Sequence, residues 1–223
     1  MADVAVVDYG MSNVRSVALA IKHVAPRFEV AVTSDARVVA CAPRVVFPGQ
    51  GAMPDCMREM EARGLRDAVL EAARGKPFLG ICIGLQMLYE ASDEGDTRGL
   101  AFLPGRVRRF PAERMVDARG PKLKVPHMGW NEVRQTVRHP LWEGIPQDHR
   151  FYFVHSYYPE PGERGLTAGE SFYGVPFTCA AARGNVFAVQ FHPERSGAAG
   201  LRLYSNFLSW QPAVPQPGRA GAA

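Results

Sequence analysis

The sequence predicts an α/β protein built on an open, doubly wound, mostly parallel sheet with added antiparallel strands. Three observations predict it. Short apolar runs alternate with helical periods over the first half of the chain, the pattern of parallel strands joined by right-handed crossovers. After Gly95 the segments turn strand-like and are separated by Gly, Pro and Asn turns with little helix between them, which adds hairpins to that core. Early strands end at glycine-bearing turns, and sheets of this kind bind their ligands at the carboxyl ends of the strands.

In chain order, Val4 to Val7 is a continuous apolar run that reads as a buried strand ending at Asp8-Tyr9-Gly10. Val14, Val17, Leu19, Ile21 and Val24 then supply one face of a helix stopped by Pro26. Phe28 to Val32 is a strand, Val45 to Phe47 a strand stopped by Pro48-Gly49, and Met57 to Ala73 a single helix closed near Gly75. Phe78 to Ile81 is a further strand, followed by a helix from Ile83 to about Glu90. The later strands are expected around Ala101 to Phe110, Lys122 to Val133, Phe151 to Tyr157, Leu166 to Tyr173, Phe177 to Ala182 and Val186 to Phe191. A last helix runs from Gly197 to about Trp210, with Leu201, Leu203, Tyr204, Phe207 and Leu208 for packing. One domain over 1–210 is expected, followed by a Pro-, Gly- and Ala-rich disordered tail over 211–223.

Composition narrows the function. The chain has 223 residues, 47% hydrophobic and 22% charged, with no window near the ~18 apolar residues of a membrane span and no signal-peptide pattern at its start. Its four cysteines form no CxxC pair and read as reduced thiols of a cytoplasmic protein. The histidines lack second ligands at metal spacing, so no metal and no cofactor are expected. Net charge is +4, concentrated between Arg106 and Lys124 where seven basic residues face two acidic ones. A short run of this kind, without aromatic platforms or a binding motif, reads as a solvated loop or edge strand rather than a nucleic-acid site.

The most informative segment is Phe78-Leu79-Gly80-Ile81-Cys82-Ile83-Gly84-Leu85-Gln86. A buried strand enters a turn with glycines two before and two after a cysteine, and a helix starts at once, which is the pattern of a nucleophile elbow. At a helix N-terminus the thiolate is favoured, and the Ile83 N–H would face an oxyanion formed on attack. The same spacing also fits a small core cysteine at a strand-to-helix junction. Cys41, Cys56 and Cys179 have no elbow and no neighbouring base in sequence and read as packing residues.

His192 and Glu194 stand two apart in Val189-Gln190-Phe191-His192-Pro193-Glu194, a stretch expected to be extended, so both side chains fall on one side. A histidine that takes a proton from a thiol needs an acceptor on its other ring nitrogen, and Glu194 is spaced to be that acceptor. With Cys82 the pair makes a candidate Cys-His-Glu triad; a surface HxE pair is the alternative. Phe47-Pro48-Gly49-Gln50-Gly51, again at a strand end, offers amides from Gly49, Gln50 and Gly51 to an oxyanion or to substrate polar groups, or is a plain turn.

Together these segments resemble the class I (triad) glutamine amidotransferases. The residues that carry the resemblance are DYGMSNVRSV (8–17), FPGQGA (47–52), LGICIGLQ (79–86), VPHMGWN (125–131), FYFVHSY (151–157) and QFHPERS (190–196). The first, fourth and fifth are similar to the branch of the family that serves imidazole glycerol phosphate synthase in histidine biosynthesis, and the first and fourth argue against other class I glutaminases such as that of vitamin B6 synthesis. The resemblance implies that Cys82 attacks the side-chain amide of glutamine to give a γ-glutamyl thioester and ammonia, with His192 as base and acid and Glu194 orienting it. It implies that Gln86, Ser156 and Tyr157 hold the glutamine and that a turned peptide brings Gln50 N–H beside Ile83 N–H. It also implies a partner: a (β/α)8-barrel cyclase that receives the ammonia and converts PRFAR to imidazole glycerol phosphate and AICAR, met through Asn13, Trp130, Tyr152 and Arg195. Gln50 and Arg195 depart from the family's usual small β-branched residue and lysine. Another class I glutaminase, such as that of vitamin B6 synthesis, and a non-catalytic cyclase-binding subunit are the alternatives.

Overall fold

The computed structural model describes residues 2–115, 120 and 123–212. Among these the chain runs β1 (Val4–Val7), α1 (Val14–Val24), β2 (Val30–Thr33), α2 (Ala36–Cys41), β3 (Arg44–Gly49), α3 (Met53–Ala62), α4 (Arg66–Gly75), β4 (Phe78–Cys82), α5 (Ile83–Gln86) and β5 (Tyr89–Ser92). It continues through β6 (Thr97–Arg98), β7 (Leu103–Arg109), β8 (His127–Gln135), β9 (His149–His155), β10 (Tyr157–Pro161), β11 (Thr167–Tyr173), β12 (Val175–Arg183), β13 (Val186–Val189) and α6 (Gly197–Ser209).

Nine strands form one sheet in the order β2-β1-β3-β4-β13-β12-β11-β8-β9, and β10-β7-β5-β6 form a second. The first five strands of the large sheet pair in parallel and the others antiparallel, the mixed sheet the sequence predicts. Its parallel strands read as unbroken apolar runs because both faces are covered: every residue of β1 and β13 is buried. The chain order reverses on either side of β1, and β3, β4 and β13 lie side by side beyond that point, so Gly49, Cys82 and the residues after Val189 emerge at one carboxyl edge.

Several elements differ from the sequence reading. The expected single helix over Met57 to Ala73 is two helices, because Gly64 takes φ +65° and the Leu65 and Gly64 N–H groups bond back to the Met60 and Glu61 carbonyls, a glycine-ended helix terminus. Helix α2 escaped the periodicity, although Asp35 caps it by accepting from the Arg37 N–H at 2.8 Å. The helix after the elbow stops at Gln86 rather than near Glu90: the backbone of Met87 to Tyr89 pairs with residues 99–103, starting the second sheet. The segment 151–157 divides at Ser156 into β9 of the large sheet and β10 of the small one.

Where it is described, the basic stretch is not one edge strand: Arg106, Arg108 and Arg109 lie on β7, interior to the small sheet, Arg114 on a 3-10 turn after it and Lys124 in the loop before β8. Arg106 pairs with Asp93 and Asp96, and Arg108 with Glu160 and Asp93, so acids from other segments balance those two. Arg119 and Lys122 lie outside the described residues, as does the expected tail from residue 213 onward. No helix among the described residues is long and apolar enough to cross a membrane.

Candidate active site

Cys82 ends β4 with φ 56° and ψ −111°, backbone angles that cost a side-chain-bearing residue strain and are kept where neighbours over-determine them. The neighbours here are close. A Cβ on Gly84 would lie inside the contact radius of the Phe47 carbonyl oxygen, and one on Gly80 would stand 2.9 Å from the Ala188 Cβ. The glycines of the elbow therefore let the first turn of α5 sit directly on β3 and β13. Cys82 is 4% exposed and opens into a cavity of about 300 Å³ lined by Gln50, Gly51, Ile83, Gln86, Ser156, Tyr157 and His192, with His155, Val154, Pro126 and Glu94.

His192 follows β13 in extended conformation. The expected extended HPE stretch does not continue past it: Pro193–Arg195 is a 3-10 turn that swings Glu194 back under the ring. His192 Nδ1 lies 2.9 Å from Glu194 Oε1, and the two side chains are 7% and 1% exposed. The turn is tied to β9 through His192 N–H to the Tyr152 carbonyl at 2.9 Å and through the Ser196 hydroxyl, which donates to the His192 carbonyl at 2.6 Å and accepts from the Tyr152 N–H at 3.0 Å. Burial alone disfavours the imidazolium, but the charge of Cys82 and the hydrogen-bonded Glu194 outweigh it and push His192 up to about 10. Its Nε2 is buried without a hydrogen-bond partner and is the ring nitrogen free for proton transfer on the cavity side.

The oxyanion segment is placed beside the elbow but its amide faces elsewhere. Gly49 pairs with Cys82 across β3 and β4, while Gln50 N–H is donated to the Met11 carbonyl at 2.8 Å, and the buried Cys56 thiol donates to the Gln50 carbonyl at 3.4 Å. The expected juxtaposition of Gln50 N–H with Ile83 N–H is therefore not formed in this arrangement. The peptide before Gln50 must turn to present its donor. Gln50 and Gly51 remain on the cavity rim, whereas Gly49 is buried behind them.

Gln86 is buried and donates from Nε2 to the Tyr157 carbonyl at 3.1 Å and to Gln190 Oε1 at 3.0 Å. Gln190 Nε2 lies 3.7 Å from Cys82 Sγ. The sequence reading gave Gln190, the residue after β13, no role. Glu94 reaches the same cavity from a distant turn, where its Oε2 accepts from the Met53 N–H at 2.8 Å; no local pattern marks it. Among the other cysteines, Cys56 and Cys179 are buried as expected, but Cys41 is exposed at the end of α2. No cluster of three or more metal-ligating side chains occurs among the described residues.

On the neighbouring face, Trp130 is 54% exposed and pairs across β8 and β9 with Tyr152, their rings meeting edge-on at 6.2 Å. The Arg195 guanidinium lies 4.3 Å from the Tyr152 ring centroid. Three of the four expected interface residues thus form one cluster, directly outside the His192 turn. Asn13 stands half-buried ahead of α1.

A cysteine on a strained strand-to-helix turn and a buried histidine-carboxylate pair share one cavity on a doubly wound sheet, the parts that thiol-dependent acyl transfer requires. The chain matches the family Glutamine amidotransferase class-I over residues 5–209 and belongs to it. It is 65% identical over 212 residues to the Imidazole glycerol phosphate synthase subunit HisH of Aromatoleum aromaticum, covering 95% of this chain and 100% of that protein. It is 64% identical over 210 residues to the protein of the same name from Thiobacillus denitrificans, covering 94% and 92%. Among solved structures, PurLQS from Thermotoga maritima superposes with a TM-score of 0.69 at 19% identity, covering 93% of this chain and 98% of that one. The glutaminase domain of Trypanosoma brucei CTPS does so with a TM-score of 0.62 at 15% identity, covering 97% of each. These two likenesses are of fold.

Proposed function

We propose that this chain, with residues 1–210 as its amidotransferase domain, is the glutaminase subunit of an imidazole glycerol phosphate synthase. It hydrolyses glutamine through Cys82, His192 and Glu194. The observation that carries the reading is the His192 ring, held on Nδ1 by a buried Glu194 and free on Nε2, in the wall of the cavity that Cys82 opens into.

In this reading His192 takes the Cys82 proton, and the sulfur attacks the carboxamide carbon of glutamine. The carbonyl π electrons move to oxygen, giving a tetrahedral oxyanion next to Ile83 N–H. Collapse breaks the C–N bond as His192 returns its proton to nitrogen, leaving a γ-glutamyl thioester and ammonia. Water, deprotonated by His192, then attacks the thioester, and breaking the C–S bond releases glutamate and restores Cys82. Glu194 keeps one tautomer of His192 facing the sulfur and offsets the imidazolium charge in both steps.

The ammonia is used by a cyclase subunit, read here as a (β/α)8 barrel that converts PRFAR to imidazole glycerol phosphate and AICAR. The exposed Trp130 and the Tyr152–Arg195 stack, with Asn13, are the surface proposed to meet it. Because Gln50 N–H is held by the Met11 carbonyl, the second oxyanion donor is withheld in the chain alone, which favours turnover gated by the partner. The chain is read as cytoplasmic, in keeping with its free cysteines. The test is Cys82→Ala: loss of glutamine hydrolysis in the mixture with cyclase, with cyclase binding kept, is expected, and undiminished hydrolysis would remove Cys82 from the mechanism.

A further inference from the structure

We infer that Gln190 is a positioning residue of this site, which holds Gln86 in the cavity wall and donates its own amide N–H to the sulfur of Cys82. The polarity of the arrangement follows from one atom. The Tyr157 carbonyl oxygen can only accept, so the Gln86 atom 3.1 Å from it is Nε2. The second N–H of that amide goes to Gln190 at 3.0 Å, so the Gln190 atom there is Oε1. Gln190 Nε2 is then the atom left facing Cys82 Sγ at 3.7 Å.

The same carbonyl sets the other arm. Its second lone pair is taken by His155 Nδ1 at 2.8 Å, which makes His155 Nε2 the acceptor for His127 Nδ1–H at 2.9 Å. His127 Nε2 faces the Asn131 amide at 3.3 Å. Burial keeps both rings neutral, as this chain of bonds requires. Gln190 itself is fully buried, and its backbone N–H is fixed to the Cys179 carbonyl on β12 at 2.8 Å. Turning the Gln86 amide over would set acceptor against acceptor at both contacts, and turning Gln190 over would set donor against donor.

Two consequences follow. With both N–H groups of Gln86 spent on the Tyr157 carbonyl and Gln190 Oε1, that side chain is a fixed part of the cavity wall. The Gln190 N–H, aimed at sulfur, favours the thiolate over the thiol.

The experiment uses the full chain with Gln190→Glu, which keeps the shape, and Gln190→Met, which removes both polar atoms. Alkylation of Cys82 by iodoacetamide is followed across pH on the chain alone by mass measurement of the Cys82 peptide. In both variants the midpoint of the rate profile is expected to move up by about one pH unit, with roughly tenfold slower alkylation at pH 7. In the cyclase mixture, KM for glutamine is expected to rise about tenfold in Gln190→Met, which frees the Gln86 amide, and less in Gln190→Glu, which keeps an acceptor for it. Folded variants with the unaltered alkylation profile and KM would overturn the inference. If the unsubstituted mixture hydrolyses no glutamine, the proposed function fails while the alkylation profile still decides whether Gln190 acts on Cys82.

Discussion

His192 and Glu194 are joined at 2.9 Å across a turn that buries both side chains. The carboxylate has a second neighbour in the Tyr204 hydroxyl of α6, 3.5 Å from its other oxygen. Such a buried acceptor does two things at once: it fixes which ring nitrogen carries the proton, and it offsets the charge that forms when the ring takes a second one.

Glu194→Gln separates these effects from packing, because the side chain keeps its shape while losing its charge. Glutamine hydrolysis in the partner complex is expected to fall about 10²- to 10⁴-fold in kcat with little change in KM. Steady-state kinetics with ammonia detection checks it, and a loss confined to KM would place Glu194 in substrate binding instead.

Gly84→Ala tests the elbow. The added Cβ has nowhere to go but into the Phe47 carbonyl, and backbone on both sides leaves no flexible side chain to yield. A loss of about 3 kcal/mol or more is expected, read as a large drop in the thermal unfolding midpoint. Unchanged stability would mean that α5 does not rest on β3 as described.

Stability should also depend on pH through the buried imidazoles. Burial pushes His127 down to about 4, and burial together with the neighbouring His127 pushes His155 down to about 3. Between pH 6.5 and 4 the unfolded chain therefore binds protons that the folded chain refuses, so stability falls as pH drops, by up to about 1.4 kcal/mol per pH unit for each ring. His139, pushed down to about 4 by burial, adds with the same sign, whereas His192, held up near 10, opposes the three as pH falls toward 6.5 and contributes no slope well below it. Urea midpoints from pH 7 to 5 are expected to decline, and His127→Gln to reduce the slope. A flat profile would contradict neutral buried rings.

Trp130→Ala tests the outward face. An aromatic that is 54% exposed beside a stacked Tyr152 and Arg195 is the kind of residue that dominates an interface. Affinity for the cyclase subunit is expected to fall at least tenfold by titration calorimetry, with the thermal midpoint of the chain retained. An unchanged affinity would move the docking face elsewhere.

The site was legible to the extent that its parts are local. Cys82 with its two glycines and His192 with Glu194 are short patterns, each set by the backbone of a few residues, and their meeting follows once β4 and β13 are neighbours in the sheet. The helix after the elbow was overestimated because LQMLY is apolar enough for helix or strand, and pairing with residues 99–103, a non-local matter, decided it. Gln190 and Glu94 were not legible as site residues, since their roles arise from partners more than a hundred and about forty positions away. The orientation of Gln50 N–H was beyond the sequence for the same reason: Met11, its acceptor, belongs to the loop after β1.

The central claim is a partner-coupled glutaminase, and the most direct test is glutamine hydrolysis by the purified chain alone and then with a histidine-pathway cyclase and its ligand. The expected result is little activity alone and turnover that appears in the mixture, with Gln50 N–H released from Met11. Equal activity with and without the partner, or none in either, would contradict it.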